Sequence, residues 1–179
     1  MEKVKIQHSR RRSSGFLADS MLAKLCRWLR ILGVNTVFSK DLTGGIAEPS
    51  DDDLIRFASK GGLVLLTRDE ALYLRAKNYV QCEFIAPDGL AGQLEFLSKK
   101  YCLPSRTNAP VSKSRCPKCN SPIKRIPKKD AEALVWPKVF AQQNFFWRCA
   151  GCGQAYWKGS HWRKISKSLP AKSRQAKAD

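Results

Sequence analysis

The feature that most narrows the possible folds is a pair of matched cysteine turns, Cys116-Pro-Lys-Cys119-Asn and Cys149-Ala-Gly-Cys152-Gly. Each C-x-x-C turn can aim two thiolates at one ion. Two such turns fill all four tetrahedral positions and leave none for water. The pattern therefore predicts structural zinc at Cys116, Cys119, Cys149 and Cys152, held in a small zinc ribbon. A thioredoxin-type redox pair and buried free cysteines are the competing readings, and two matched pairs argue against both. The other cysteines, Cys26, Cys82 and Cys102, are scattered, and no apolar leader precedes the folded part. That combination fits reduced thiols and a cytoplasmic setting rather than a disulfide framework. The stretch 120–148 is longer than a minimal finger needs. Leu134-Val-Trp-Pro and Val139-Phe-Ala within it predict extra strands or a small helical insertion. A ribbon of this kind binds nucleic acid, binds protein, or only stabilises a fold.

Upstream of the cysteines, short apolar runs alternate with helical stretches. Phe16-Leu-Ala reads as a buried strand broken by Asp19, and Ser20 as the N-cap of a helix in which Met21, Leu22, Leu25, Trp28, Leu29 and Leu32 recur at helical spacing up to Gly33. Val34–Phe38 is a second strand candidate and 39–50 a Gly- and Pro-containing loop. Ser50 caps a helix whose first turn is Asp51-Asp52-Asp53, acids suited to its positive end, and Gly61-Gly62 closes it. Leu63–Leu66 has the continuous apolar character of a central parallel strand, followed by Thr67-Arg68-Asp69 and another helix. A strand within Val80–Ala86 and a helix through Tyr101 complete the pattern. Such alternation predicts an α/β fold with a central parallel sheet covered on both faces, whose reactive site lies beyond the carboxyl ends of the strands. Asp19 and Asp69 each fall directly after a strand.

Charge divides the chain in a way that bears on its partner. Residues 16–98 carry nine basic and eleven acidic side chains, whereas 99–179 carry nineteen basic and three acidic, within a total of +18. That asymmetry is the footprint of a polyanion binder, most often nucleic acid, rather than of a merely solubilising tail. No apolar run approaches the roughly 18 residues of a membrane span. The expected organisation is a flexible basic arm over 1–15, an α/β domain over 16–103, a linker over 104–115, the ribbon over 116–164 and a disordered basic tail over 165–179.

An acid after a strand is often only a cap. Asp19, Asp69 and one of the acids at 51–53 converging on one cleft are different, because oxygen ligands suit Mg²⁺ or Mn²⁺. A metal pair about 3.5–4 Å apart activates water and stabilises the leaving oxygen of a phosphodiester. Histidine chemistry has only His8 and His161 to draw on.

Phe16-Leu-Ala-Asp19-x-Met-Leu-x-Lys24-Leu-x-Arg27-Trp-Leu-Arg30-x-Leu-Gly33, the Asp51–Asp53 cluster and Leu65-Leu-Thr-Arg68-Asp69 closely resemble the Mut-seven C-terminal RNase family. Cys116-Pro-x-Cys119-Asn and Cys149-x-x-Cys152-Gly-x-x-Tyr156-Trp157-x-Gly159-Ser160-His161 continue the resemblance, which covers about residues 16–164. It implies a PIN-like three-layer α/β/α ribonuclease domain fused to a zinc ribbon, with metal-dependent cleavage of RNA. Carried over by position, it implies catalytic roles for Asp19, Asp51 and Asp69, with Asp52 next in line to Asp51 as a Mg²⁺ or Mn²⁺ ligand. A further acid used by larger PIN nucleases has no clear counterpart, Asp41 and Glu48 being the nearest substitutes. Lys24, Arg27, Arg30 and Arg68 would hold the scissile phosphate or balance the acids, and Trp157 and His161 would contact RNA bases, against the competing readings of a solvated cationic face, Trp157 packed on the ribbon and a structural His161. The partner is RNA, with rRNA of the ribosome or tRNA among the candidates. Two alternatives stay open: a non-catalytic RNA- or ribosome-binding protein on the same scaffold, and an rRNA-maturation endonuclease of similar composition. The Leu-x-Arg-Trp-Leu-Arg helix argues against the second.

Overall fold

The runs at 16–18, 36–38, 64–67 and 82–84 are short, apolar and spaced by helices, and they pair side by side. The computed structural model describes residues 14–101, 103 and 113–159. The expected basic arm up to residue 13, Cys102, the linker over 104–112, His161 and the basic tail lie outside the described residues. Strands β1 (Phe16–Ala18), β2 (Thr36–Phe38), β3 (Val64–Thr67) and β4 (Cys82–Phe84) form one parallel sheet in the order β2-β1-β3-β4. The two central strands are buried on both faces, as continuous apolar runs in a parallel sheet must be.

Alternate side chains of those strands feed two separate layers. Phe16, Ala18, Val64 and Leu66 face α1 (Ala23–Ile31) and α4 (Leu90–Lys100), packing with Leu25, Leu29, Leu94 and Leu97. Leu17 and Leu65 face α2 (Asp51–Gly61) and α3 (Glu70–Ala76), packing with Leu54, Ala58, Leu72 and Ala76. This is the expected three-layer α/β/α architecture around a parallel sheet.

Three local details differ from the sequence expectation. The helix after β1 opens with a 3-10 turn over Ser20–Leu22, and Asp19 rather than Ser20 is its N-cap, because the carboxylate accepts the Ser20 N–H at 2.6 Å. Met21, counted among the apolar stripe, is 65 % exposed on that turn. The loop after β2 begins with a second 3-10 turn, Ser39–Thr43. Ser50 caps α2 as expected, and the hydroxyl it donates to Asp53 holds that carboxyl below its usual range.

The second sheet is antiparallel, ordered β5 (Ile123–Ile126), β6 (Phe146–Cys149) and β7 (Ala155–Trp157). Between β5 and β6 lie a 3-10 stretch, Lys128–Leu134, and a short helix α5 (Pro137–Gln142), so the long spacer supplies both strand and helix. The ribbon seats against the end of α1. Gly33 sits at φ +88, and a Cβ there would lie 2.5 Å from the Lys113 carbonyl, so only glycine fits the approach. Asn120, at φ +64, accepts the Thr36 N–H and donates to the Asn35 side chain, pinning the first knuckle onto β2.

Candidate active site and metal centre

In an open parallel sheet, chain connections leave a crevice where the strand order reverses. Here the chain runs from β1 to β2 on one side and then crosses back to β3 on the other, so the reversal lies between β1 and β3. Asp19 and Asp69 are the residues just beyond the carboxyl ends of those two strands. Asp19 is 8 % exposed, its backbone N–H donates to Leu66 and its carboxylate caps the 3-10 turn. Asp69 is exposed and caps α3 by accepting the Leu72 N–H at 3.0 Å.

Thr67 joins the two. Fully buried at the end of β3, its hydroxyl donates to Asp19 at 2.9 Å and accepts the Asp69 N–H at 2.9 Å. One hydroxyl thereby fixes one carboxylate directly and the other through its backbone. Sequence reasoning saw Thr67 only as a spacer. Its signal was a polar residue ending a buried apolar run, where a hydroxyl must find partners.

Asp51 and Asp52 open α2 on the same sheet face as α3, but their closest cation is Arg75, in the second turn of α3. Arg75 lies 2.5 Å from Asp52 and 3.8 Å from Asp51. The acids expected as metal ligands are thus tied to a basic residue that had no assigned role. Asp41 and Glu48, the substitutes considered for a fourth acid, pair with Arg30 at 2.8 Å and Lys40 at 2.6 Å respectively. Among the described residues, only the four cysteines form a group of three or more such side chains close enough to hold one ion. The aspartates line one sheet end without closing a cage. That open set of hard oxygens still fits Mg²⁺, which keeps several waters and is usually bound through only one or two carboxylates.

The expected row of cations divides. Lys24 and Arg27 are exposed on α1, and Arg68, about one-third exposed, pairs with Asp88 at 2.6 Å. Arg30 is the correction, being 2 % exposed with its guanidinium enclosed by protein. Its Nε donates to the Thr36 carbonyl, one terminal nitrogen to the Pro117 and Lys118 carbonyls, and the other to Asp41. The reason is helical drift. Residues three apart fall about 60° short of a full turn, so two such steps carry Arg30 about 120° around the helix from Lys24, into the packed side. Arg30 fastens the ribbon knuckle to β2. Trp157, half-buried on β7, lines a small cleft with Ile31, Pro117 and Lys158 where the ribbon meets α1.

The cysteines meet as expected. Their sulfur atoms all lie within 4.8 Å of one another, with Cys119–Cys149 at 3.4 Å and Cys116–Cys152 at 3.6 Å. A tetrahedron with Zn–S bonds near 2.3 Å has edges of about 3.8 Å, so the set is of the right size for zinc. The Gly151 and Cys152 N–H groups point at the Cys149 sulfur, and the Tyr156 hydroxyl contacts Cys116 at 3.0 Å. Burial disfavours a thiolate at Cys119, but the Ser121 N–H and hydroxyl outweigh it and bring that thiol down to about 6. Burial pushes the Cys149 thiol up to about 12, aided by its side-chain hydrogen bonds with the Cys119 and Cys152 sulfurs. A divalent cation would resolve that conflict by holding all four as thiolates.

A family model described as Mut7-C RNAse domain matches residues 14–169, most of the chain, and the chain belongs to that family. The family is one of ribonuclease-type domains, which implies RNA as the substrate. No curated protein and no solved structure matches the chain. Among the described residues, no helix is long and apolar enough to cross a membrane.

Proposed function

We propose that this Mut7-C RNase-domain protein is a metal-dependent endoribonuclease that hydrolyses RNA phosphodiesters at the β1–β3 strand ends. The observation that carries the reading is the shared Thr67 hydroxyl, which holds Asp19 and Asp69 together where an open parallel sheet places its chemistry. Mg²⁺ or Mn²⁺, when bound, supplies a water of lowered pKa and Lewis-acid stabilisation of the leaving oxygen. Asp19, steadied by Ser20 and Thr67, offers a preoriented carboxylate. Asp69 spends one oxygen on its cap and presents the other, and Asp51, more loosely held by Arg75 than Asp52 is, serves as the third acid. Lys24, Arg27 and Arg68 draw the phosphate backbone toward that edge. Zinc at Cys116, Cys119, Cys149 and Cys152 holds the ribbon in shape, and the basic regions grip the RNA, rRNA or tRNA being candidates.

A second reading keeps the RNA and drops the cutting: a ribosome- or RNA-binding protein. The observation favouring it is the pairing of Asp51 and Asp52 with Arg75, which ties up the third acid. One experiment separates the two. Labelled single-stranded RNA is incubated with the native chain and with Asp19→Asn, with and without added Mg²⁺ or Mn²⁺. The expected result is ion-dependent cleavage by the native chain alone, with equal RNA binding by both. The asparagine carbonyl can keep the Ser20 cap, so the variant should fold. Equal cleavage by the variant would remove Asp19 from the chemistry, and no cleavage by either would favour the binding protein.

A further inference from the structure

The spacer between the cysteine pairs builds a surface that neither the acids nor the zinc site uses. Trp136 is 78 % exposed at the start of α5 and Phe145 is 52 % exposed just before β6. Aromatic rings left in water offer open π-faces on which unpaired bases can stack. Two of the spacer's rings carry cations: Arg125 lies over Phe145 at 4.7 Å and Lys128 over Phe140 at 5.1 Å. Both cations also line one open cleft of about 350 Å³, together with Ile126, Pro127 and Asn144. Residues 113–159 carry ten basic and two acidic side chains, and among the described residues none of the ten is in an ion pair with a carboxylate.

We propose that this spacer surface is a binding site for unpaired RNA, in which bases stack on the exposed rings of Trp136 and Phe145 while Arg125 and Lys128 take the phosphates. Exposed rings interleaved with unneutralised cations are what single strands require, since every base has a π-face and every linkage a charge. A duplex buries its bases and can use only the cations. A protein partner would be the other occupant of an aromatic patch, but ten cations without acid partners complement a polyanion. The assignment rests on RNA as the substrate, as proposed above, and not on the acids at the sheet end.

The test uses the full chain, loaded with zinc, without added Mg²⁺ or Mn²⁺. Binding of a labelled oligouridine and of a duplex RNA of equal length is followed by anisotropy for the native chain, Trp136→Ala, Phe145→Ala and Trp136→Phe. Each alanine variant should lose roughly 5- to 150-fold in oligouridine affinity, the worth of one stacked base. Trp136→Phe should recover most of that loss, and duplex binding should change little. Lys128→Ala should weaken both RNAs and lower the salt slope by about one. Trp136 is exposed, so melting temperatures should hold and exclude unfolding as the cause. Unchanged oligouridine affinity in both alanine variants, or equal losses for duplex, would overturn the assignment. So would a Trp136→Ala chain that binds RNA normally but no longer binds a protein partner. An inactive native enzyme would defeat the catalytic reading and leave this result standing.

Discussion

Replacing Arg30 should unfasten the ribbon from the α/β layers instead of weakening phosphate contact. Its guanidinium donates to three carbonyls and one carboxylate and is almost wholly enclosed. The cost of Arg30→Ala follows from what each partner can do afterwards. Asp41 is 47 % exposed and rehydrates, so its ion pair adds little. Lys118 is exposed and Pro117 half-buried, so their carbonyls also regain water in large part. Thr36 is fully buried, and its carbonyl loses a charge-assisted partner, worth about 1.5–3 kcal/mol. The lost packing of the aliphatic stem adds about 1 kcal/mol. The expected destabilisation is about 3 kcal/mol, or roughly 6–12 °C in melting temperature for a chain of this size. Arg30→Lys should fall between, because one ammonium cannot reach Thr36 and both knuckle carbonyls together. Differential scanning calorimetry measures the shift, and limited proteolysis within the first cysteine knuckle, at Lys118, reports release of the ribbon. If both variants melt like the native chain but bind RNA more weakly, Arg30 faces substrate and the packing argument fails.

Other predictions follow from the same contacts. Thr67→Val keeps the shape but removes the hydroxyl between Asp19 and Asp69. It should lower stability by about 1–3 kcal/mol in calorimetry and raise the divalent-ion concentration needed for half-maximal cleavage, whereas Thr67→Ser should restore both. Removing zinc with a competing chelator should unfold the ribbon and leave the parallel sheet. Near-ultraviolet circular dichroism should lose the contribution of Trp147, packed with the cysteines, and keep that of Trp28 and Tyr101, packed on the parallel sheet, while most far-ultraviolet signal persists. Because thiolates must form to bind the ion, that release should need less chelator at pH 6 than at pH 8.

Much of the site was legible in linear order because its elements are local. An acid that ends a buried apolar run sits at a strand end whatever the strand pairs with. The alternation of runs and helices led to a parallel sheet, and so to Asp19 and Asp69 at its carboxyl edge. The cysteine centre was legible for the same reason, since C-x-x-C spacing is itself the geometry of a knuckle. The acids at 51–53 were harder. Their place at a helix start was readable, but their pairing with Arg75 spans more than twenty positions and depends on how α2 and α3 lie together.

What the sequence alone determined is therefore everything carried by period and spacing: the strand–helix alternation, the two catalytic-candidate aspartates at strand ends, the four sulfurs and the basic excess. Only the tertiary structure decided who meets whom. It enclosed the Arg30 guanidinium, because the first cysteine knuckle packs against α1 and brings the Pro117 and Lys118 carbonyls to it, with Asp41 on its other side. It joined Asp19 to Asp69 through Thr67, because β1 and β3, far apart in the chain, are neighbours in the sheet. It also gathered Arg125, Lys128, Phe140 and Phe145 onto one surface of the spacer. Hydrogen bonds and ring contacts between distant residues are set by the packing of layers, and no local pattern in the sequence encodes them.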